Sequence, residues 1–123
     1  MVYRIPEGEP SIVFTLKVLG EETANRLKGR KVVQTIRSSS WHQKYRKLNG
    51  GKVQIVLDDR FLYHARITDM QRENLADVIT QYDAECGGFA TVDDFKQALR
   101  RAGFRFKDYT GYMVYRVHFV PVG

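Results

Sequence analysis

The stretch Gly29-Arg30-Lys31-Val32-Val33-Gln34-Thr35-Ile36-Arg37 decides how this sequence is read. It is a junction between two elements. Ahead of it, residues 19–28 read as a short helix. Glu21 and Glu22 sit in the first turn and Arg26 and Lys28 in the last, the charge order that the helix dipole favours. Gly29 follows as the C-terminal cap. Residues 31–37 are rich in β-branched types and read as a strand. Thr35 and Arg37 are two apart on it, so they share a face. A hydroxyl beside a guanidinium can grip a phosphate or the polar edge of a base. Arg30 and Lys31 come to the edge of the same region. The competing reading pairs Arg37 with an acid of the 69–99 block and leaves Thr35 a mere strand former.

Upstream, residues 1–10 form an irregular leader containing Pro6, Gly8 and Pro10, and residues 11–17 read as a first strand. Downstream, Ser38 to Gly51 is a polar, basic stretch ending in the turn signal Asn49-Gly50-Gly51. A hairpin follows: residues 52–57 and 61–68 alternate apolar and polar, and Asp58-Asp59-Arg60 joins them. Leu75, Val78, Ile79 and Tyr82 then lie at helical spacing on one apolar face, which Gly87-Gly88 breaks. Thr91 with Asp94 caps a second helix, whose stripe is Phe95, Ala98, Leu99 and Ala102, ending at Gly103. Residues 112–120 read as a strand that is apolar on both faces, hence central in its sheet. The order β-α-β-β-β-α-α-β predicts an α+β domain over residues 11–123, a small mixed barrel with helices packed outside.

The chain's 123 residues suit one domain. No apolar run approaches the ~20 residues that a spanning helix needs, and residues 1–10 hold no apolar run, so neither a secretory signal nor a membrane partner is expected. Cys86 is the single cysteine. It has no disulfide partner within the chain, which fits a reducing, cytoplasmic compartment. A monomer is expected. His42, His64 and His118 lack ligand spacing, and no phosphate or dinucleotide loop is present. No metal and no cofactor are therefore expected.

The formal charge is +6, but it is unevenly spread. Residues 26–60 carry ten basic groups against Asp58 and Asp59, whereas residues 69–99 carry seven acids against Arg72 and Lys96. A concentrated positive face attracts phosphates, although it can equally be a solvated surface. Within the basic block, Arg37, Trp41, His42, Lys44, Tyr45, Arg46 and Lys47 set cations beside flat rings. That mixture suits a nucleic acid, with phosphates on the charges and bases on the rings. The alternative for Trp41 is an anchor that pins a long loop. Phe104, Arg105, Phe106, Lys107 and Tyr109 form a second mixture, where the phenylalanines read as core.

The junction resembles the signature of the ASCH domain, Gly-x-Lys-x-x-Thr-x-Arg, placed where a helix hands over to a strand. The hairpin, Gly88-Phe89, the capped helix from Thr91 and the closing aromatic strand follow that family's order, so the resemblance covers residues 11–120. It implies a PUA-like β-barrel that binds nucleic acid, RNA ahead of DNA, in a basic cleft. Arg30, Lys31, Thr35, Arg37, Trp41, Lys44, Tyr45, Arg46 and Lys47 are the expected contacts. Two departures stand out. Three residues separate Lys31 from Thr35, where the family has two, so only a bulge would bring Lys31 to the site. Some small ASCH proteins are amidohydrolases acting on N4-acetylcytidine, using a lysine, a threonine and a glutamate. In this chain that glutamate's place holds Gly87. A hydrolase reading would therefore rely on Lys31, Thr35 and Glu85. A third reading is a protein-interaction module using the acidic 69–99 face.

Overall fold

The computed structural model describes residues 9–105 and 112–123. Most of the irregular leader, and Phe106, Lys107 and Tyr109 of the second basic-aromatic mixture, lie outside the described residues.

Strand β1 is Ser11–Phe14, shorter than the apolar run suggests. Thr15 ends it, because its hydroxyl accepts from Val18 N–H and starts a single helical turn, α1, Leu16–Leu19. Helix α2, Glu21–Lys28, buries Thr23, Ala24 and Leu27 and ends at Gly29 as expected. Strand β2 is Gln34–Ser38, three residues later than the sequence suggests. Arg30, at a φ of 62°, turns the chain sharply first, and Val33 N–H donates to Cys86 O. The polar stretch after β2 is not a loop. Ser38 Oγ accepts from Trp41 N–H and caps α3, Ser39–Tyr45, and a 3₁₀ turn follows over Arg46–Leu48.

Strands β3, Lys52–Leu57, and β4, Arg60–Asn74, form the expected hairpin. β4 runs six residues past Thr68 because β5, Met113–Val122, pairs with it as far as Asn74↔Met113, across a register shift at Ile67/Asp69. The helical face expected at Leu75–Tyr82 is split. Leu75–Val78 is a 3₁₀ turn with both end residues fully buried, and α4 is Gln81–Cys86 with Tyr82 72% exposed. Helix α5, Val92–Arg101, starts at Thr91 as predicted, with Thr91 Oγ1 accepting from Asp94 N–H.

The five strands make one sheet in the order β1-β3-β4-β5-β2. β1 and β3 run parallel and the other pairs are antiparallel. The sheet curls into a mixed half-barrel with the helices against it, the α+β class that the sequence implied. Its core joins Ile12, Ile55, Ile67 and Phe119 of the sheet to Leu27, Leu99 and Phe95 of the helices. β5 lies inside the sheet, as its apolar run required, and β1 and β2 are the two edges. No helix is long and apolar enough to cross a membrane among the described residues.

Candidate functional site

The gap between the two edge strands opens on a cavity of about 350 Å³. β1 and β2 wall it on one side, and α4 and α5 on the other. Phe14, Phe89, Phe95 and Leu99 make most of the surface apolar, while Thr35, Arg37 and Trp41 supply polar and stacking groups.

Arg37 is the centre of the wall. Its Nε donates to Thr35 Oγ1 at 3.2 Å, so the pair that shares a face is in contact. Its Nη2 donates to Val13 O at 2.9 Å, which carries the side chain across the gap from β2 to β1. The guanidinium lies over the rings of Phe14, at 5.0 Å, and Trp41, at 5.8 Å. No carboxylate among the described residues pairs with it, so it is not the ion-pair partner of an acid from the 69–99 block. Burial lowers its pKa to about 10, against a smaller opposing effect of Tyr45, and it stays charged at neutral pH. A guanidinium has five N–H groups. Two of them are used among the described residues, so donors remain there for an anion or a carbonyl oxygen.

The stacked series continues outward. Trp41 lies 5.0 Å from the Tyr45 ring, and Lys44 Nζ sits 5.3 Å above Tyr45. Trp41 packs on the core as well as lining the cavity, so it is both an anchor and a cavity wall. Lys44, Arg46 and Lys47 are exposed on α3 and the turn after it.

One carboxylate lines this cavity, Asp83, which is 2% exposed. It accepts from Gln34 Nε2 at 2.8 Å, from Thr80 Oγ1 at 2.7 Å, and from Arg116 Nε and Nη2 at 2.9 and 3.0 Å. Burial pushes its pKa up, but the hydrogen bonds and the charge of Arg116 outweigh that, and the net shift is downward. Asp83 is therefore an ionised, saturated carboxylate that fixes Gln34 and joins β2, α4 and β5. It has little freedom to move a proton. Sequence reasoning missed it, although Thr80-x-x-Asp83 carries the capping-box spacing that marked Thr91.

The other expected residues fall elsewhere. The Lys31 side chain is exposed ahead of β2 and does not line the cavity. Glu85 is exposed on α4, where it accepts from Gln81 Nε2. Lys31, Thr35 and Glu85 thus do not converge at the cavity. Arg30 lies over the Tyr63 ring and lines a different depression. Among the described residues no group of His, Cys, Asp and Glu side chains is placed to hold a metal ion.

No family model matches the sequence, and no curated protein matches it significantly. Solved structures do. An ASCH domain from Lactobacillus crispatus JV V101 superposes with a TM-score of 0.64 at 14% identity, covering 91% of this chain and 78% of that one. Protein EF3133 from Enterococcus faecalis V583, of the DUF984 family, superposes with the same score at 13% identity, covering 96% and 83%. Such low identity speaks for architecture alone. The half-barrel and its helices thus share the fold of these two proteins, an ASCH-like fold.

Proposed function

We propose that the chain binds nucleic acid, RNA ahead of DNA, at the cavity holding Arg37 and along the cations at the end of α3 and on the turn after it. The observation that carries this is Arg37 itself. A permanent charge is set into the wall of a largely apolar cavity, and among the described residues it has no carboxylate partner. Holding a cation in that way is costly unless an anion joins it. A phosphate or a base carbonyl meets that need, and the half-buried rings of Trp41 and Tyr45 give bases surfaces to lie against. Unpaired bases are accessible mainly in single-stranded RNA, so loops and ends are the expected targets. Lys44, Arg46 and Lys47 supply sequence-independent contacts with phosphates.

Anisotropy titrations with a short labelled RNA test this reading. The logarithm of the affinity should fall linearly with the logarithm of salt concentration. Arg46→Glu with Lys47→Glu should weaken binding at low salt and reduce that slope by about 1–2. Affinity indifferent both to salt and to these reversals would mean that the basic face only solvates the domain.

A further inference from the structure

A second positive depression lies on the β3–β4 hairpin, and it shares no lining residue with the Arg37 cavity. It encloses about 540 Å³ and is lined by Arg30, Lys52, His64 and Arg66, with Tyr63 and the end of β5. Lys52 and Arg66 are directly opposite each other in the antiparallel register. Like charges at such a pair repel and destabilise a sheet. Both side chains are exposed residues of well-formed strands, so nothing in the hairpin's hydrogen bonding requires two cations there. Arg66 is held in place by a 2.8 Å hydrogen bond from Nη1 to Gly50 O. Arg30, at its left-handed φ of 62°, lies with its guanidinium 5.1 Å over the Tyr63 ring. Such a backbone is unfavourable for a side chain that is not glycine. Glu9 pairs with His64 here at 3.2 Å, and among the described residues no carboxylate pairs with Arg30, Lys52 or Arg66.

We propose that this depression is a phosphate site, in which Arg30, Lys52 and Arg66 hold the oxygens of one phosphate group. Arg30 and Arg66 offer planar forks of donors and Lys52 a mobile point charge. The bound anion replaces the Lys52–Arg66 repulsion with two attractions. The site stands independently of the function proposed for Arg37. It takes a phosphodiester of a bound strand or a free phosphate through the same chemistry.

Thermal unfolding of the wild type, Lys52→Glu and Arg37→Ala, with and without inorganic phosphate at matched ionic strength, tests the site. Lys52→Glu turns a repulsive cross-strand pair into an attractive one, so without phosphate its midpoint should rise by about 1–3 °C. Tens of millimolar phosphate should raise the wild-type midpoint by ~3 °C. Arg37→Ala should keep a gain beyond the general salting effect of phosphate, and Lys52→Glu should gain less than the wild type. A ten-nucleotide RNA then distinguishes the source. If Lys52→Glu also weakens its binding, the phosphate belongs to a strand. If RNA affinity is unchanged while the phosphate response is lost, the site takes free phosphate. Equal stabilisation of all three proteins by phosphate, or a lower midpoint for Lys52→Glu without phosphate, would overturn the proposal. A response lost in Lys52→Glu reports on this depression and one lost in Arg37→Ala on the Arg37 cavity, so the two readings fail separately.

Discussion

Arg37 has two tasks that a sequence reading treats as exclusive. Among the described residues it has no carboxylate partner, as suits a ligand-binding arginine, yet its Nη2 spans the gap to Val13 O and its charge stacks on Phe14 and Trp41. Arg37→Ala should therefore lower stability by about 1–2 kcal/mol, through the lost hydrogen bond and cation–π contacts, as well as weaken RNA binding. Arg37→Lys keeps the charge but not the fork, and should weaken binding with a smaller loss of stability. Chemical denaturation beside anisotropy separates the two effects. Asp83 is purely a tie. Asp83→Asn leaves Arg116 with a weaker partner and should cost about 2–4 kcal/mol. Because the folded Asp83 pKa lies below its unfolded value, the stabilisation is complete above the ordinary carboxylate range near 4 and is lost as pH falls through the folded value. Melting curves between about pH 2 and 7 should show a shallower acid limb in Asp83→Asn. An acid limb identical to that of the wild type would mean that other carboxylates set it.

At the scale of elements, what could be read and what could not follows from burial. α5 was legible because Thr91 caps it and Phe95, Ala98 and Leu99 repeat at helical spacing. α3 was not, because it has no fully buried residue and hence no apolar period; its one sign was Ser38. Ser38→Ala should cost ~1 kcal/mol and loosen α3, and with it Trp41, so RNA affinity should fall although Ser38 carries no charge. Tyr82 misled because helical spacing from Leu75 to Tyr82 is coincidental: the buried face of α4 is Asp83 and Ala84. The Gly87-Gly88 break was read correctly, but its reason lies in packing. Gly88 has φ +88°, and a Cβ there would stand 2.7 Å from Val32 Cγ2. Its carbonyl accepts from Thr23 Oγ1 and Arg26 Nη1, tying α4 to α2. Gly88→Ala should destabilise the domain by about 1–3 kcal/mol, seen as a lower midpoint.

Over the whole molecule, the junction at Gly29–Arg37 carried the architecture correctly but merged two places into one. Arg30 and Arg37 are seven residues apart in sequence, yet they line different depressions, because the chain turns at Arg30 and β2 begins only at Gln34. The acidic block is also partly spent internally, since Arg116 holds both Asp83 and Glu73. With Lys31 and Glu85 exposed and Asp83 saturated, the purified protein should release no acetate from N4-acetylcytidine over a long incubation at high enzyme concentration. Acetate release abolished by Thr35→Ala would instead establish a hydrolase. The central claim is that Arg37 and its cavity take the ligand, and one measurement addresses it directly: the Arg37 Nε–H and Trp41 indole N–H resonances followed during titration with a ten-nucleotide single-stranded RNA. Saturable shifts of both signals, along the same binding curve as the anisotropy, are the predicted result. Binding that moves the backbone signals of Lys44, Arg46 and Lys47 but leaves Arg37 Nε–H and the Trp41 indole in place would contradict it.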